Sequence, residues 1–245
     1  DATLLGDGRV LVLGHARNTD PISIALHGEI YDPETNTWTP TASVDSSLYV
    51  TRIVAEELPD GDVLVLVSHK ELDEDAPVFI NANRYGFMSQ VTALIYSVTT
   101  DTWEELVTFD RTDGGLEPDI TWLPETGAFL LNLYADWFSD PTSGILFHPQ
   151  TRTWEPLFEE GPSKGRVMAV FPGDQVLFQS DYNAHLYDVP TGTWTRFDAF
   201  PQGSLFSSVV LLSDCYLFAS GEIPLYVSPS VLREVDTAYC APDGQ

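Results

Sequence analysis

Two adjacent carboxylates, Glu56 and Glu57, are the best candidates for chemistry, because they interrupt a stretch (IVAEEL) that otherwise has the apolar character of an inner strand. Carboxylates in such surroundings can act as general acids or bases, or can contact a cation. Neighbouring residues of a strand point to opposite faces, so these two do not form a catalytic pair with each other. We expect Glu57 to form an ion pair with Arg52 or Arg166. The alternative is a cation or a polar ligand group near the axis, which Asp1 and Asp119 could also contact if both face the channel.

Signals for metal chemistry are weak. The five histidines follow neither an HxH nor an HExxH spacing, which argues against a histidine metal cluster. The acidic run DEDAP at 73–77 lacks the alternation and the glycine of an EF-hand loop, so it favours a solvated loop over a calcium site. We therefore expect no cofactor, with calcium as the weaker alternative.

Composition excludes several classes of partner. The formal charge of −26 repels nucleic acid and anionic membrane surfaces, and no apolar run is long enough to cross a bilayer. We expect a soluble, acidic, monomeric protein, located outside the cell or in the periplasm. Cys215 and Cys240 would form a disulfide in a secreted protein and would remain two thiols in a cytosolic one.

A short motif recurs along the chain and indicates the elements that position these residues. YDPETNTW at Tyr31 returns as YSVTTDTW, FHPQTRTW and YDVPTGTW, and a weaker copy, YVSPSVLR, starts at Tyr226. Each copy follows an apolar hairpin with a turn of Gly, Pro or Asp, as in ATLLGDGRVLVLG. Two hairpin strands, a third strand ending in the aromatic residue and a fourth opening with tryptophan make a four-stranded antiparallel unit.

Such units cannot bury both faces alone, so they stack around an axis with an aromatic anchor in each interface. The sequence predicts an all-β, single-domain, five-bladed β-propeller over residues 1–245, with repeats of about 1–46, 47–110, 111–160, 161–200 and 201–245. The predicted anchors are Tyr31, Trp38, Tyr96, Trp103, Phe147, Trp154, Tyr187 and Trp194.

The hairpin followed by YDPxTxTW resembles the kelch repeat, including bacterial kelch proteins and the propeller of galactose oxidase-like proteins. The resemblance covers four repeats clearly and the fifth faintly, and it implies a propeller that acts as a scaffold. The chain departs from the family in lacking paired glycines after the second strand. The pairs of tyrosine and histidine ligands that galactose oxidase-like copper chemistry needs cannot be assigned to residues of this sequence.

The repeats differ in length mainly between their second and third strands, at residues 15–27, 69–91 and 134–143. Insertions on one face of a rigid scaffold are where binding usually resides. Aromatic side chains beside Arg and Asp suit a sugar ring or a peptide, although they could equally pack the loops onto the scaffold. The candidate ligand-binding residues are His69, Arg84, Tyr85, Phe87, Asp136, Trp137 and Phe138.

We therefore predict a non-catalytic scaffold that presents these loops to a carbohydrate or protein ligand. Two alternatives remain. One is a hydrolase or lyase that uses the inner-strand carboxylates. The other is a structural piece of a larger ring without a ligand of its own.

Overall fold

The computed structural model describes residues 1–17, 24–46, 49–70, 89–111, 116–135, 143–158, 165–180, 183–196, 205–212, 216–222 and 230–234. Every regular element in these ranges is a β-strand. None of these residues belongs to a helix that is long and apolar enough to span a membrane.

The strands of the first two repeats form two antiparallel sheets. Sheet one contains β1 (Ala2–Leu4), β2 (Val10–Arg17), β3 (Ile24–Asp32), β4 (Thr37–Pro40) and β5 (Val44–Ser46). Both β4 and β5 pair with β3, so they act as one interrupted outer strand. Sheet two contains β6 (Tyr49–Glu57), β7 (Val63–Lys70), β8 (Ser89–Ser97) and β9 (Thr102–Arg111) in consecutive order.

The later repeats follow the same path. Sheet three contains β10 (Leu116–Leu123), β11 (Ala128–Ala135), β12 (Ser143–His148) and β13 (Thr153–Phe158). Sheet four contains β14 (Arg166–Phe171), β15 (Gln175–Ser180), β16 (Asn183–Asp188) and β17 (Thr193–Arg196). Sheet five contains β18 (Leu205–Leu212), β19 (Tyr216–Glu222) and β20 (Ser230–Glu234). The all-β, antiparallel prediction is confirmed, but sheet five has three strands in the described residues where four were predicted.

The chain divides into two compact units, Asp1–Ile120 and Thr121–Gln245. In the first, a core lies between sheets one and two, where Leu11 and Leu13 meet Val63, Val65 and Val67. In the second, a core lies between sheets three and four and includes Leu130, Leu146, Val176 and Phe178. First strands of successive sheets are neighbours within each unit, β1 beside β6 and β14 beside β18.

The recurring motif is explained by the turn between the third and fourth strands. The residue two positions before each tryptophan has a positive φ, which asparagine, aspartate and glycine tolerate best. These residues are Asn36 (54°), Asp101 (53°), Arg152 (55°) and Gly192 (68°). The threonines on either side of it bond through their hydroxyl groups, at 2.7 to 2.8 Å in all four turns. The motif letters therefore encode a turn.

The aromatic residue of each third strand lies directly opposite the tryptophan of the fourth. Ring centroids are 4.5 to 4.9 Å apart, a spacing that favours aromatic pairs. The four pairs are Tyr31–Trp38, Tyr96–Trp103, Phe147–Trp154 and Tyr187–Trp194. Each motif thus closes a turn and fixes the register of its outer strand.

The first of these tryptophans differs in its surroundings from the second. Trp103 donates its Nε1–H to the carbonyl of Ala42 at 2.8 Å and packs on the core between sheets one and two. Trp38 is 53% exposed. It pairs with Tyr31, which points away from the face of sheet one that carries the buried Ile30. The predicted anchor at Trp38 is therefore open to solvent in the structure.

Candidate functional site

The long connections lie at one end of the sheets, as the strand bounds show. Connections between second and third strands cover residues 18–23, 71–88, 136–142, 181–182 and 223–229. Turns between third and fourth strands are all of equal length, at 33–36, 98–101, 149–152 and 189–192. Because strands alternate in direction, tight turns and long connections emerge at opposite ends of a sheet. Length variation is therefore concentrated at the end where binding was predicted.

Most of the predicted ligand-binding residues lie outside the described residues. These are Arg84, Tyr85, Phe87, Asp136, Trp137 and Phe138. Cys215 and Cys240 also lie outside them, so the disulfide stays a prediction. In the part of the chain that the structure describes, no group of three His, Cys, Asp or Glu side chains could hold a metal ion.

His69 was predicted to lie in the long loop of repeat two, and the structure places it elsewhere. It belongs to β7, where it pairs with Val50 and Gln90, and it is 6% exposed. Strand β7 extends to Lys70, because its ladder with β8 continues to the pair Lys70–Ser89. Desolvation holds the pKa of His69 below its ordinary value, although the charge of Glu105 acts in the opposite direction. At neutral pH the imidazole is therefore uncharged.

The inner-strand carboxylates have separate neighbours, as the alternation of a strand requires. Glu56 is exposed at the surface of β6 and lies near Asp119 of β10; partial desolvation of its carboxyl group, followed by the negative charge of Asp119, raises the pKa of Glu56. Glu57 instead accepts a hydrogen bond of 2.7 Å from the backbone N–H of Gly6, in the β1–β2 turn. Glu57 therefore links two hairpin turns through this hydrogen bond. The sequence had instead predicted an ion pair between Glu57 and an arginine.

The two arginines predicted near these carboxylates lie on first strands. Arg52 is half-buried in β6, opposite Ser68 of β7. Arg166 is the first residue of β14 and is exposed. Arg52 is thus near the start of its strand, whereas Glu57 is the last residue of the same strand.

First strands β1 and β6 are joined by polar contacts. Asp1 Oδ2 accepts a hydrogen bond from the backbone N–H of Ala55 at 2.8 Å, and the Thr3 hydroxyl donates to the carbonyl of Ala55 at 2.9 Å. These bonds satisfy backbone groups on the edge of β6 that does not pair with another strand in the sheet.

A cleft of about 530 Å³, which was not predicted from the sequence, lies at the tight-turn end of the first unit. It lies between the β1–β2 and β6–β7 turns, with Asp7, Arg9, Glu57 and Asp60 among its polar lining. Arg9 and Asp7 form an ion pair of 2.6 Å, and hydrogen bonds from Arg9 lower the pKa of Asp7. Each turn is recognisable in the sequence, but their proximity is a tertiary feature.

The raised pKa of Glu56 gives a testable pH dependence. An acid whose pKa is higher in the folded state stabilises the fold below its unfolded value and loses that contribution as pH rises through the folded value. Because Glu56 is exposed and solvent screens its charge, we expect Glu56→Gln to raise Tm only slightly at neutral pH and to leave it unchanged at about pH 4. Glu34→Gln, which removes the same charge from an exposed turn, is the control in thermal melts. An equal increase in Tm in both variants would show that the effect comes from the change in net charge and not from the surroundings of Glu56.

Comparison with solved structures relates the fold to proteins of several activities. An α-L-arabinanase from Penicillium chrysogenum, solved with arabinobiose, has a TM-score of 0.52 and 15% identity, over 92% of this chain and 70% of its own. An α-L-arabinofuranosidase from Fusarium graminearum, solved with an iminosugar inhibitor, has a TM-score of 0.53 and 13% identity, over 94% and 72%. The extracellular domain of a protein assigned to a one component system, from B. thetaiotaomicron, has a TM-score of 0.53 and 10% identity, over 95% and 26%.

No protein-family model matches the sequence, and no curated protein matches it. At these identities the structural likeness is evidence about the fold alone. The arabinanase and the arabinofuranosidase are β-propeller-like, with four-stranded antiparallel sheets, and nothing in them specifically indicates kelch repeats. The chain therefore has a β-propeller-like, all-β fold.

Proposed function

We propose that this protein is a non-catalytic scaffold that binds a carbohydrate at the end of its sheets where the second and third strands are joined. The observation that carries the proposal is that these connections vary most in length, from residues 181–182 in sheet four to residues 71–88 in sheet two, whereas the turns between third and fourth strands are all of equal length. A scaffold that keeps one end uniform and elaborates the other concentrates its recognition residues there. In the full proposal the scaffold is a five-bladed, kelch-type propeller.

The residues of two connections between second and third strands, one in sheet two and one in sheet three, support a carbohydrate ligand. Residues 71–88 contain Arg84, Tyr85 and Phe87, and residues 136–142 contain Trp137 and Phe138. Flat aromatic rings cover the apolar faces of sugars, while Arg and Asp provide directional hydrogen bonds to hydroxyl groups. Two fold neighbours, the arabinanase and the arabinofuranosidase, were solved with a disaccharide and an iminosugar.

Binding to an oligosaccharide array that includes arabinobiose tests the proposal. We expect the wild-type protein to bind and Trp137→Ala or Tyr85→Ala to reduce affinity at least about tenfold, since each removes one stacking surface. Trp122→Ala is the control, because Trp122 is a partly exposed tryptophan of β10 that precedes a tight turn. Binding should persist with a chelator. A blank array would contradict a carbohydrate ligand, and a large loss of Tm in the loop variants would make them packing residues.

A hydrolase is the second candidate, and one observation favours it. Glu56 has a raised pKa beside a second carboxylate, Asp119, on a neighbouring first strand. Pairs of carboxylates with unequal pKa values can divide acid and base roles in hydrolysis. Incubation of the protein with arabino-oligosaccharides distinguishes the two candidates. Turnover that is lost in Glu56→Gln would establish the hydrolase, whereas binding without turnover supports the scaffold.

The proposal also includes a location and an assembly state. We propose that the protein acts outside the cell or in the periplasm, as a monomer and without a resident cofactor. The extracellular assignment of one fold neighbour gives limited support for this location. The high negative charge favours mutual repulsion between copies.

A further inference from the structure

A chain of polar side chains crosses sheet two from its exposed outer strand to the buried His69. Glu105 Oε1 accepts a hydrogen bond of 3.3 Å from the Thr108 hydroxyl. The Thr108 and Thr92 hydroxyl oxygens are 2.9 Å apart, and Thr92 Oγ1 is 3.0 Å from His69 Nε2. The chain therefore joins a solvent-exposed carboxylate on β9 to an imidazole on β7, through β8.

An irregularity in the β8–β9 ladder places the carboxylate on this face. Ala93 pairs with Val107 and Leu94 with Glu105, so Leu106 has no partner of its own. Such a bulge shifts the alternation of side chains by one residue. Without it, Glu105 and Thr108, three residues apart, would point to opposite faces of β9. The bulge therefore creates the outer end of the chain.

The ionised carboxylate determines the direction of every hydrogen bond in the chain. A carboxylate only accepts, and a threonine hydroxyl has a single hydrogen to donate. Thr108 donates its hydrogen to Glu105, so it accepts from Thr92. Thr92 in turn must accept from His69 Nε2. This order requires the Nε2–H tautomer of His69, with an unprotonated Nδ1.

The other ring nitrogen then carries a lone pair without a partner. Nδ1 is buried and, among the described residues, no group donates a hydrogen bond to it. A buried acceptor without a partner destabilises the folded state, because it loses its hydrogen bonds to water. Groups of this kind in native structures have an explanation, such as a binding role or a bound water.

The position of His69 connects it with the proposed binding end. It continues the row of Val63, Val65 and Val67 along one face of β7, next to the last residue of that strand. The connection 71–88 follows directly after Lys70. His69 therefore lies on the core-facing side of β7, at the end of the strand from which the connection 71–88 leaves.

We propose that the chain Glu105–Thr108–Thr92 holds His69 in its Nε2–H tautomer, so that Nδ1 accepts a hydrogen bond from a hydroxyl group of a carbohydrate bound at this end of sheet two. The inference rests on the proposed function for the ligand, and on the geometry of sheet two for the tautomer. His69 is a binding residue, and the two threonines and Glu105 are positioning residues.

Nitrogen NMR of histidine-labelled protein tests the tautomer at neutral pH, with the His69 signal assigned by its absence in His69→Gln. We expect the pattern of an Nε2–H imidazole in the wild type and a mixture of tautomers in Thr92→Val, which interrupts the chain. An Nδ1–H pattern in the wild type would overturn the inference, whether or not the protein binds carbohydrate.

Two substitutions, each of which retains a polar group near one of the two ring nitrogens, test whether Nδ1 accepts a hydrogen bond from the ligand. Both variants are measured on the same oligosaccharide array. His69→Gln retains a donor near the Nε2 position and loses the Nδ1 acceptor, so affinity should fall about tenfold while Tm changes little. His69→Asn retains a polar group near Nδ1 and loses the donor to Thr92, so it should bind better than His69→Gln but melt at a lower temperature.

Unchanged affinity in His69→Gln would overturn the inference and leave the proposed function intact. A wild-type protein that binds no oligosaccharide would overturn both the carbohydrate ligand and the role of Nδ1. A ligand-dependent shift of the Nδ1 resonance of His69 would support both.

Discussion

Replacing Asp174 by alanine should lower the free energy of unfolding by about 3–5 kcal/mol. Asp174 is fully buried in the turn between β14 and β15. Its carboxylate accepts hydrogen bonds from the Thr126 backbone N–H (2.5 Å), the Thr126 hydroxyl (2.6 Å) and the Glu125 backbone N–H (3.2 Å). Alanine would leave these donors without a partner.

The contact is reciprocal, which adds to the expected effect. Glu125 Oε1 accepts a hydrogen bond of 2.7 Å from the Gly173 backbone N–H. Each of the two turns, β10–β11 and β14–β15, therefore donates hydrogen bonds to a carboxylate of the other. Asp174 also has a positive φ of 52°, which alanine adopts less readily than aspartate. The carboxylate thus supports both the contact between two turns and the conformation of its own turn.

Urea denaturation followed by tryptophan fluorescence measures the loss. Asp174→Asn, which keeps one acceptor and tolerates the positive φ, should lose about half as much. Asp7→Ala is the matched control, because Asp7 occupies an exposed hairpin turn and its carboxylate pairs with Arg9. It should cost at most about 1 kcal/mol. Equal losses for Asp174→Ala and Asp7→Ala would contradict a structural role for the buried carboxylate.

Replacing Gly144 by alanine should destabilise the protein by about 1–3 kcal/mol through overpacking. Gly144 lies in β12 opposite Phe158 of β13, and an added Cβ would be 2.5 Å from Phe158 Cε1 and Cζ. The ring of Phe158 cannot move away at low cost, since it packs edge-on against Phe178, Tyr187 and Trp194 at 5.0 to 5.8 Å.

Gly14→Ala in β2 is the control, because an added Cβ there meets no atom within 4 Å. That substitution should be neutral or stabilising by up to about 1 kcal/mol, since alanine loses less backbone entropy than glycine on folding. Phe158→Leu combined with Gly144→Ala should cost less than the sum of the two single changes. Additive losses would show that the two side chains do not compete for the same space.

Much of the architecture follows from local patterns in the sequence. Apolar hairpins with Gly or Asp turns predict the first two strands of each sheet, and the spacing from aromatic residue to tryptophan predicts the last two. These patterns are local because pleat and turn geometry depend on residues that are near in sequence. The concentration of length variation at one end also follows, because strand directions alternate.

The functional details depend on residues that are distant in sequence. Glu57 was predicted to meet an arginine and instead bonds to Gly6, because the two hairpin turns come together. Trp38 has the same motif as Trp103 but is exposed, because its pair with Tyr31 lies on the face opposite the core. Identical local patterns therefore have different surroundings in the folded chain.

The sequence by itself determined the strands, the turns and the end of the sheets that carries the long connections. Only the tertiary structure decided that His69 is a buried strand residue, that a bulge brings Glu105 to the polar chain beside it, and that Glu56 lies near Asp119. The physical reason is that strand and turn preferences act over a few residues, whereas burial, hydrogen-bond direction and pKa depend on which strands become neighbours.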